Sequence, residues 1–404
     1  MTSKTARFRP RFRAASVNAL VVVGATIVGY FILELAFFRV FLPNVALKIR
    51  PHLSETAGVL VQSSKAGFVP RNYIAILGDS YAEGAGDWLL SNGYNEALPF
   101  GSVDVLHTLL RRDVVSFGRG GSGSAESLVR QPTRILSGSN CLIFPTIPEP
   151  DQMIVYFYEG NDIEDNLRFL QRVHRRFGNS DAMAIDQFLS TDYAHFPFWQ
   201  CRLHLGDTIS RMVRFLYQYR NLKLSDLTPN ISGPNKLIVG HTELTAPVVE
   251  APPMQLEDNA IGKALTVFDR SLAWLRHRFP KIPITVVYLP APLTVYRKAA
   301  PTVDYVNEMD EGVVLAGTAN STAIERKSDQ ICSWVRDLTT KAGIRFLDSR
   351  PAARAVAAEK FIHGPLEWKH YNELGYRTLA SFLAKELESG SELETCSLQA
   401  LPKH

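Results

Sequence analysis

The stretch "YIAILGDSYAEGAG", residues 73–86, is a continuous apolar run that stops abruptly at Gly-Asp-Ser. A short apolar run bounded by turn residues predicts a strand buried on both faces. Ser80 then stands where that strand turns into a helix. A serine in this place commonly caps the helix. It can also present its hydroxyl as a nucleophile.

Outward from this stretch the same rhythm recurs. The segments "VDVLHTLLRRDVVSF", "MIVYFYEG", "IPITVVYLPAP" and "GIRFLD" contain short apolar runs. Between them lie helical patterns such as "GKALTVFDRSLAWLRHRF" and "SDQICSWVRDLTTKAG", apolar at three and four spacing. Buried strands alternating with helices predict an α/β fold, a three-layer α/β/α sandwich around a central parallel sheet. In such a sheet functional groups gather at the carboxyl ends of the strands.

Four stretches fall at those ends: "LGDSYAEG", with Ser80; "VVSFGRGGSGSAE", residues 114–126; "VYFYEGNDIEDN", residues 155–166; and "GPLEWKHYNELGY", residues 364–376. Alone, each has an ordinary structural use. Gly-Asp-Ser is a common turn, Asn161 and Asp162 suit a helix cap, and a single histidine proves little. In this order they resemble the blocks of the GDSL-type, or SGNH, hydrolases, a family named for one Ser, Gly, Asn and His. The chain is similar to a membrane-anchored member of it. Gly78-Asp79-Ser80 matches the first block, with Tyr81 where the name has Leu. Gly121 is the best counterpart of the oxyanion glycine and Gly123 a close second. Gly160-Asn161-Asp162 matches the Asn block, and His370 followed by Tyr-Asn-Glu-Leu-Gly the His block. The likeness spans Tyr73 to about Leu387, apart from an insertion.

The resemblance implies a flavodoxin-like sandwich and a serine esterase. Ser80 would be the nucleophile and His370 the base, since imidazole titrates near neutrality. The N–H groups of Ser80 and Gly121 and the Asn161 amide would hold the oxyanion. The family usually has Asp three residues before the His; here Glu367 stands there. Glutamate serves as the third member in other hydrolases. The alternatives are a solvated charge at Glu367, with a backbone carbonyl orienting the ring, or the more remote acid Asp348. His107, His174, His204 and His363 lack such context and receive no role.

"GRGGSG", Gly118 to Gly123, also fits the dinucleotide fingerprint G-x-G-x-x-G. That motif wants an acid about 20 positions on, at the end of the next strand. Residues 138–146, "GSNCLIFPT", contain none. No cofactor and no metal are expected, and neither G-x-x-x-x-G-K-[ST] nor G-x-S-x-G occurs.

Composition sets the compartment. The formal charge is +4, and five cations, Lys4, Arg7, Arg9, Arg11 and Arg13, lie in the first thirteen positions with no acid. The remainder is near neutral, so no nucleic-acid surface is expected. Directly afterwards "AASVNALVVVGATIVGYFILELAFF", Ala14 to Phe38, carries one charge, Glu34. That is enough to cross a bilayer as a helix, with the N-terminus cytoplasmic by the positive-inside rule. A signal peptide has a shorter apolar region and a small-residue cleavage site.

The expected organisation is a basic tail at 1–13, a single-pass signal anchor at 14–42, a linker packing on the domain at 43–72, the hydrolase-like domain at 73–390 with an insertion at 166–253, and a peripheral tail at 391–404. The domain is expected on the periplasmic or extracellular side. Cys141, Cys201, Cys332 and Cys396 allow three pairings. The function expected is hydrolysis of an ester, on a glycan or a lipid. An O-acyltransferase using the same residues and a non-catalytic binding module are the alternatives. The oligomeric state is left open.

Overall fold

Successive residues of the central strands point to opposite cores. Ala75 and Leu77 of β1 (Ile74–Leu77) join one hydrophobic cluster, Ile74 and Ile76 the other. The same alternation holds for Val155 against Ile154 in β3 (Gln152–Tyr158) and for Val286 against Val287 in β7 (Ile284–Leu289). It follows from the two-residue period of a strand. It explains why these runs are apolar on both faces apart from Gln152 at the start of β3 and Thr285 in β7, and each large aliphatic or aromatic side chain contributes roughly 1.5–3 kcal/mol by burial.

The computed structural model describes residues 9–42, 53–91, 99–138, 145–195, 204–218, 232–308, 314–390 and 396–397. β2 (Val114–Ser116) and β11 (Arg345–Asp348) complete a five-stranded, wholly parallel sheet in the order β11-β7-β3-β1-β2. Numbered within the sheet this is 2-1-3-4-5, a doubly wound order that reverses beside β1. One face is covered by the helices Asp258–Arg278 and Ser321–Lys341. Gly101–Leu110 and Glu373–Ser389 cover the other. The α/β layering matches the expectation from the apolar runs.

Two small sheets lie outside it. β4 (Asn235–Val239), β5 (Thr242–Ala246) and β8 (Arg297–Lys298) are antiparallel. β6 (Val249–Glu250), β9 (Thr302–Glu308) and β10 (Val314–Asn320) form the other. Neither was anticipated. β5, "TELTA", is mostly exposed and polar and offers no apolar alternation to read.

The N-terminal helix Arg9–Ala36 continues as one wide turn, Phe37–Phe41. Val17–Phe41 is the one helix among the described residues long and apolar enough to cross a membrane, with mean hydropathy 2.2. Its far end differs from the rest. Phe37, Phe38 and Leu42 are buried in the first core cluster. The segment expected as linker also packs inward, through Leu53 and the helix Glu55–Leu60. Cys332 is bonded to Cys396, which ties the tail to the helix Ser321–Lys341; Cys141 and Cys201 lie outside the described residues.

Candidate active site

Ser80 is the first residue of the short helix Ser80–Glu83 at the carboxyl end of β1. Asp79 caps that helix, its carboxylate accepting the Tyr81 N–H at 2.9 Å. The turn therefore presents Ser80 at a helix N-terminus, as the Gly-Asp-Ser spacing predicts. Its hydroxyl points at the other end of the chain: Ser80 Oγ lies 2.7 Å from His370 Nε2. His370 Nδ1 lies 3.0 Å from Glu367 Oε2.

Glu367 is thus brought to the ring rather than left in solvent, and its oxygens also accept the N–H groups of Lys369 at 2.8 Å and His370 at 2.9 Å. Burial works against its charge, but the hydrogen bond and charge of His370 and these two N–H groups hold the carboxyl below its ordinary range. A carboxylate only accepts, so Nδ1 carries the proton and Nε2 turns its lone pair to Ser80. Asp348, the remoter candidate acid, is elsewhere engaged: Arg350 grips both its oxygens, at 2.9 and 2.8 Å.

Several contacts fix the His370 loop against Ser80. Tyr81 packs its ring 5.1 Å from that of His370 and donates to the Lys369 carbonyl at 2.7 Å. Asp87 accepts the N–H of Leu366, and Asn372 caps the next helix at Gly375. Gly86, with φ at +117°, permits the approach. A Cβ there would sit 2.5 Å from that of His370. The sequence shows that glycine but not what it faces. Glu250 of β6, equally unforeseen, reaches Lys369 Nζ at 3.0 Å and accepts from the Tyr158 hydroxyl at 2.6 Å.

The glycine loop lies over the same helix. Gly120 donates to Glu83 at 2.7 Å, and a Cβ on it would stand 3.7 Å from the Ser80 Cβ. Gly121 has φ at +70° and open space where a side chain would be. Gly123 instead presses on the helix Asp162–Phe177, where a Cβ would meet that of Asp165 at 2.8 Å. Their surroundings separate the two candidates: Gly121 is open and Gly123 is packed. Neither the Ser80 nor the Gly121 N–H has an acceptor among the described residues.

Asn161 precedes the helix Asp162–Phe177, at the end of the strand next to β1. It does not cap that helix with its side chain, and its Oδ1 is buried without a partner. Asp162 accepts the Tyr158 N–H at 2.8 Å. Asp79 and Asp162, from the first and third blocks, are buried beneath the turn that carries Ser80, and burial raises both carboxyls. His363 is enclosed, its Nδ1 2.9 Å from the Tyr296 hydroxyl, and burial pushes the ring down to about 3. It is a neutral core residue.

No family model matches this sequence, and no curated protein does. Similar solved structures include an alpha/beta hydrolase enzyme from the metagenome of Lake Arreo, at 15% identity over 80% of this chain and 96% of that one, TM-score 0.33. An acetyl-xylooligosaccharide esterase from Geobacillus is 13% identical over 80% and 97%, TM-score 0.34. An acetyl xylan esterase from the rumen bacterium Butyrivibrio proteoclasticus is 10% identical over 80% and 64%, TM-score 0.35. At these scores the site is read from its own geometry.

Proposed function

We propose that this protein is a serine esterase of SGNH type that hydrolyses an ester, an O-acyl group on a glycan or a lipid, through an acyl-enzyme on Ser80. The observation that carries the reading is the chain of contacts from Ser80 Oγ through the His370 ring to Glu367, at 2.7 and 3.0 Å. A binding module that keeps only the fold has no need of that alignment.

The chemistry follows from the geometry. His370 Nε2 takes the hydroxyl proton as Oγ bonds to the ester carbonyl carbon. The negative oxygen so formed needs donors about 3 Å away, for which the N–H groups of Ser80 and Gly121 and the Asn161 amide are the candidates. Collapse breaks the ester C–O bond, and His370 returns its proton to the leaving alkoxide. Water then attacks the acyl group, His370 again taking the proton. The acid departs and Ser80 is regenerated. Glu367 stays ionised throughout, orienting the ring and steadying its cation.

On this reading the apolar helix Val17–Phe41 is a membrane anchor. The cations before it face the cytoplasm, and the domain lies outside. The test is labelling of the full chain by a fluorophosphonate with turnover of a p-nitrophenyl ester. Both should occur and both should vanish in Ser80→Ala. An unlabelled Ser80, with the variant indistinguishable from the parent, overturns the proposal. Release of acid rather than transfer to an added glycan hydroxyl separates the esterase from an acyltransferase on the same residues.

A further inference from the structure

The helix His204–Gln218 lies in the segment expected as an insertion, and it begins against the apolar N-terminal helix. Glu34 Oε1 and Oε2 lie 3.3 and 3.1 Å from the Leu205 N–H, and the Tyr30 hydroxyl accepts the Gly206 N–H at 3.1 Å. A carboxylate at a helix N-terminus is favourable. Glu34, the charge within the apolar run, is thereby fully buried.

Glu34 also marks a depth. At 1.5 Å per residue a hydrocarbon core of about 30 Å takes about 20 residues, which, counted from Arg13, ends near Leu33. Contacts with the domain begin at the same place. Val17 to Leu33 is largely exposed; beyond it Glu34, Phe37 and Phe38 are buried against the rest of the chain, while Leu35, Val40 and Phe41 stay exposed. The helix His204–Gln218 therefore starts at the level where the chain leaves lipid.

Its apolar arc is wider than the face it buries. Thr208 is buried and Leu205 packs on the core, but Ile209 and Val213 are 52% and 61% exposed, with Tyr217 one turn on at 72%. Arg214 lies exposed beside them. Two aliphatic residues and a tyrosine in line, flanked by a cation, at the height of the boundary, are the features of a helix lying in a membrane interface.

We propose that the helix His204–Gln218 docks on the lipid surface through Ile209, Val213 and Tyr217. It is thus a second membrane contact that sets the height of the site. This rests on the anchor reading above. The height reaches the active site through charges. Arg211 of this helix lies 3.8 Å from Glu55, and Glu55 pairs with Arg119 of the glycine loop at 3.1 Å. These three residues line a cavity of about 270 Å³ that extends to Gly120. On this proposal the helix ties the lipid surface to the glycine loop, one wall of that cavity, which stands beside the helix that starts at Ser80.

The test places the full chain in vesicles of phosphatidylcholine brominated near the headgroup end of its acyl chains. Val213→Trp is compared with the parent, whose five tryptophans set the background. The added emission should be blue-shifted and quenched by about half relative to unbrominated lipid. Ile209→Trp gives the same measurement one turn earlier should Val213→Trp not fold. A chain retained in the vesicles through an alkaline wash, with unquenched emission, overturns this proposal and leaves the anchor standing. A chain released by the wash overturns both. Retention with an unquenched tryptophan that cross-links to a second copy assigns the face to self-association and likewise overturns it.

Discussion

Two polar clusters occupy the carboxyl edge of the same sheet and differ in how fully their bonding capacity is taken up. Around Glu159, directly before the Gly-Asn-Asp triplet, every partner is engaged. Its oxygens accept from Tyr288 at 2.5 Å, Ser328 at 2.6 Å, Ala291 N–H at 2.7 Å and Thr294 at 2.5 Å. Arg350 links Ser328, Asp329 and Asp348 and lies over the Tyr288 ring. Glu159 and Arg350 are wholly inaccessible. Around Ser80 the side chains of His370 and Glu367 keep 12% and 27% exposure, the Ser80 and Gly121 N–H groups have no acceptor among the described residues, and Asn161 has an orphan oxygen. A satisfied buried network rigidifies; an unsatisfied one beside a nucleophile is available to a ligand. The contrast, more than the polarity of either cluster, separates scaffold from reaction site.

The difference can be broken by exchange of consequences. His370→Ala should lower kcat about 10,000-fold or more while lowering the unfolding midpoint far less, because Glu367 keeps the N–H groups of residues 369 and 370 and Ser80 keeps Asp79 at 3.4 Å. Steady-state kinetics beside a thermal melt checks both halves, and a melt that falls with the rate contradicts the assignment. Arg350→Ala should do the reverse. It leaves Asp348 and Glu159 buried without their cation and costs about 3–5 kcal/mol of stability. Denaturant titration reads it, and the fraction still folded should keep its turnover.

Asn161→Ala sharpens the boundary between the clusters. Removal of one oxyanion donor lowers kcat by about 100-fold with little change in KM. An effect on KM alone places Asn161 outside that role. The smallest effect belongs to Glu164, whose oxygens are buried with no partner in another residue. Burial, and then the charge of Glu250, push its carboxyl up to about 8 against its own N–H. The folded form thus holds a proton that the unfolded chain has released, so stability falls as pH rises from about 4.5 to about 8. Glu164→Gln should remove this slope, raising stability at pH 8.5 by roughly 1–3 kcal/mol and barely changing it at pH 4.5. Melts at the two pH values settle the sign.

The sheet was legible because both faces of β1 and β7 are buried and their residues read as nearly continuous apolar runs, Thr285 apart. β6 was not, since two residues, Val249 and Glu250, carry no period. Ser80, Gly121 and Asn161 could be picked out because each follows a strand in a distinctive local phrase; the expectation that His370 does so too is corrected, since the helix Arg350–Ala357 separates it from the last strand, and it was found by its phrase alone. Glu367 could be named by its spacing from His370, while its contact with the ring needed coordinates. Gly86 and Glu250 act only by facing residues 284 and 119 positions away, which no window of sequence displays. Glu159 was quoted within "YEGND" and passed over, because a charge beside a motif looks solvated until its depth is known.

The hydroxyl and its base stand 290 residues apart in the chain. If Ser80 is the nucleophile proposed above, a growing polypeptide carries it with nothing to deprotonate it until the segment around His370 has been made and folded back onto the segment around Ser80. Closing so long a loop is slow compared with forming local helices. On the proposed reading, competence requires both segments to be present and docked, and chains lacking the block around His370 should be inert however well the half around Ser80 folds.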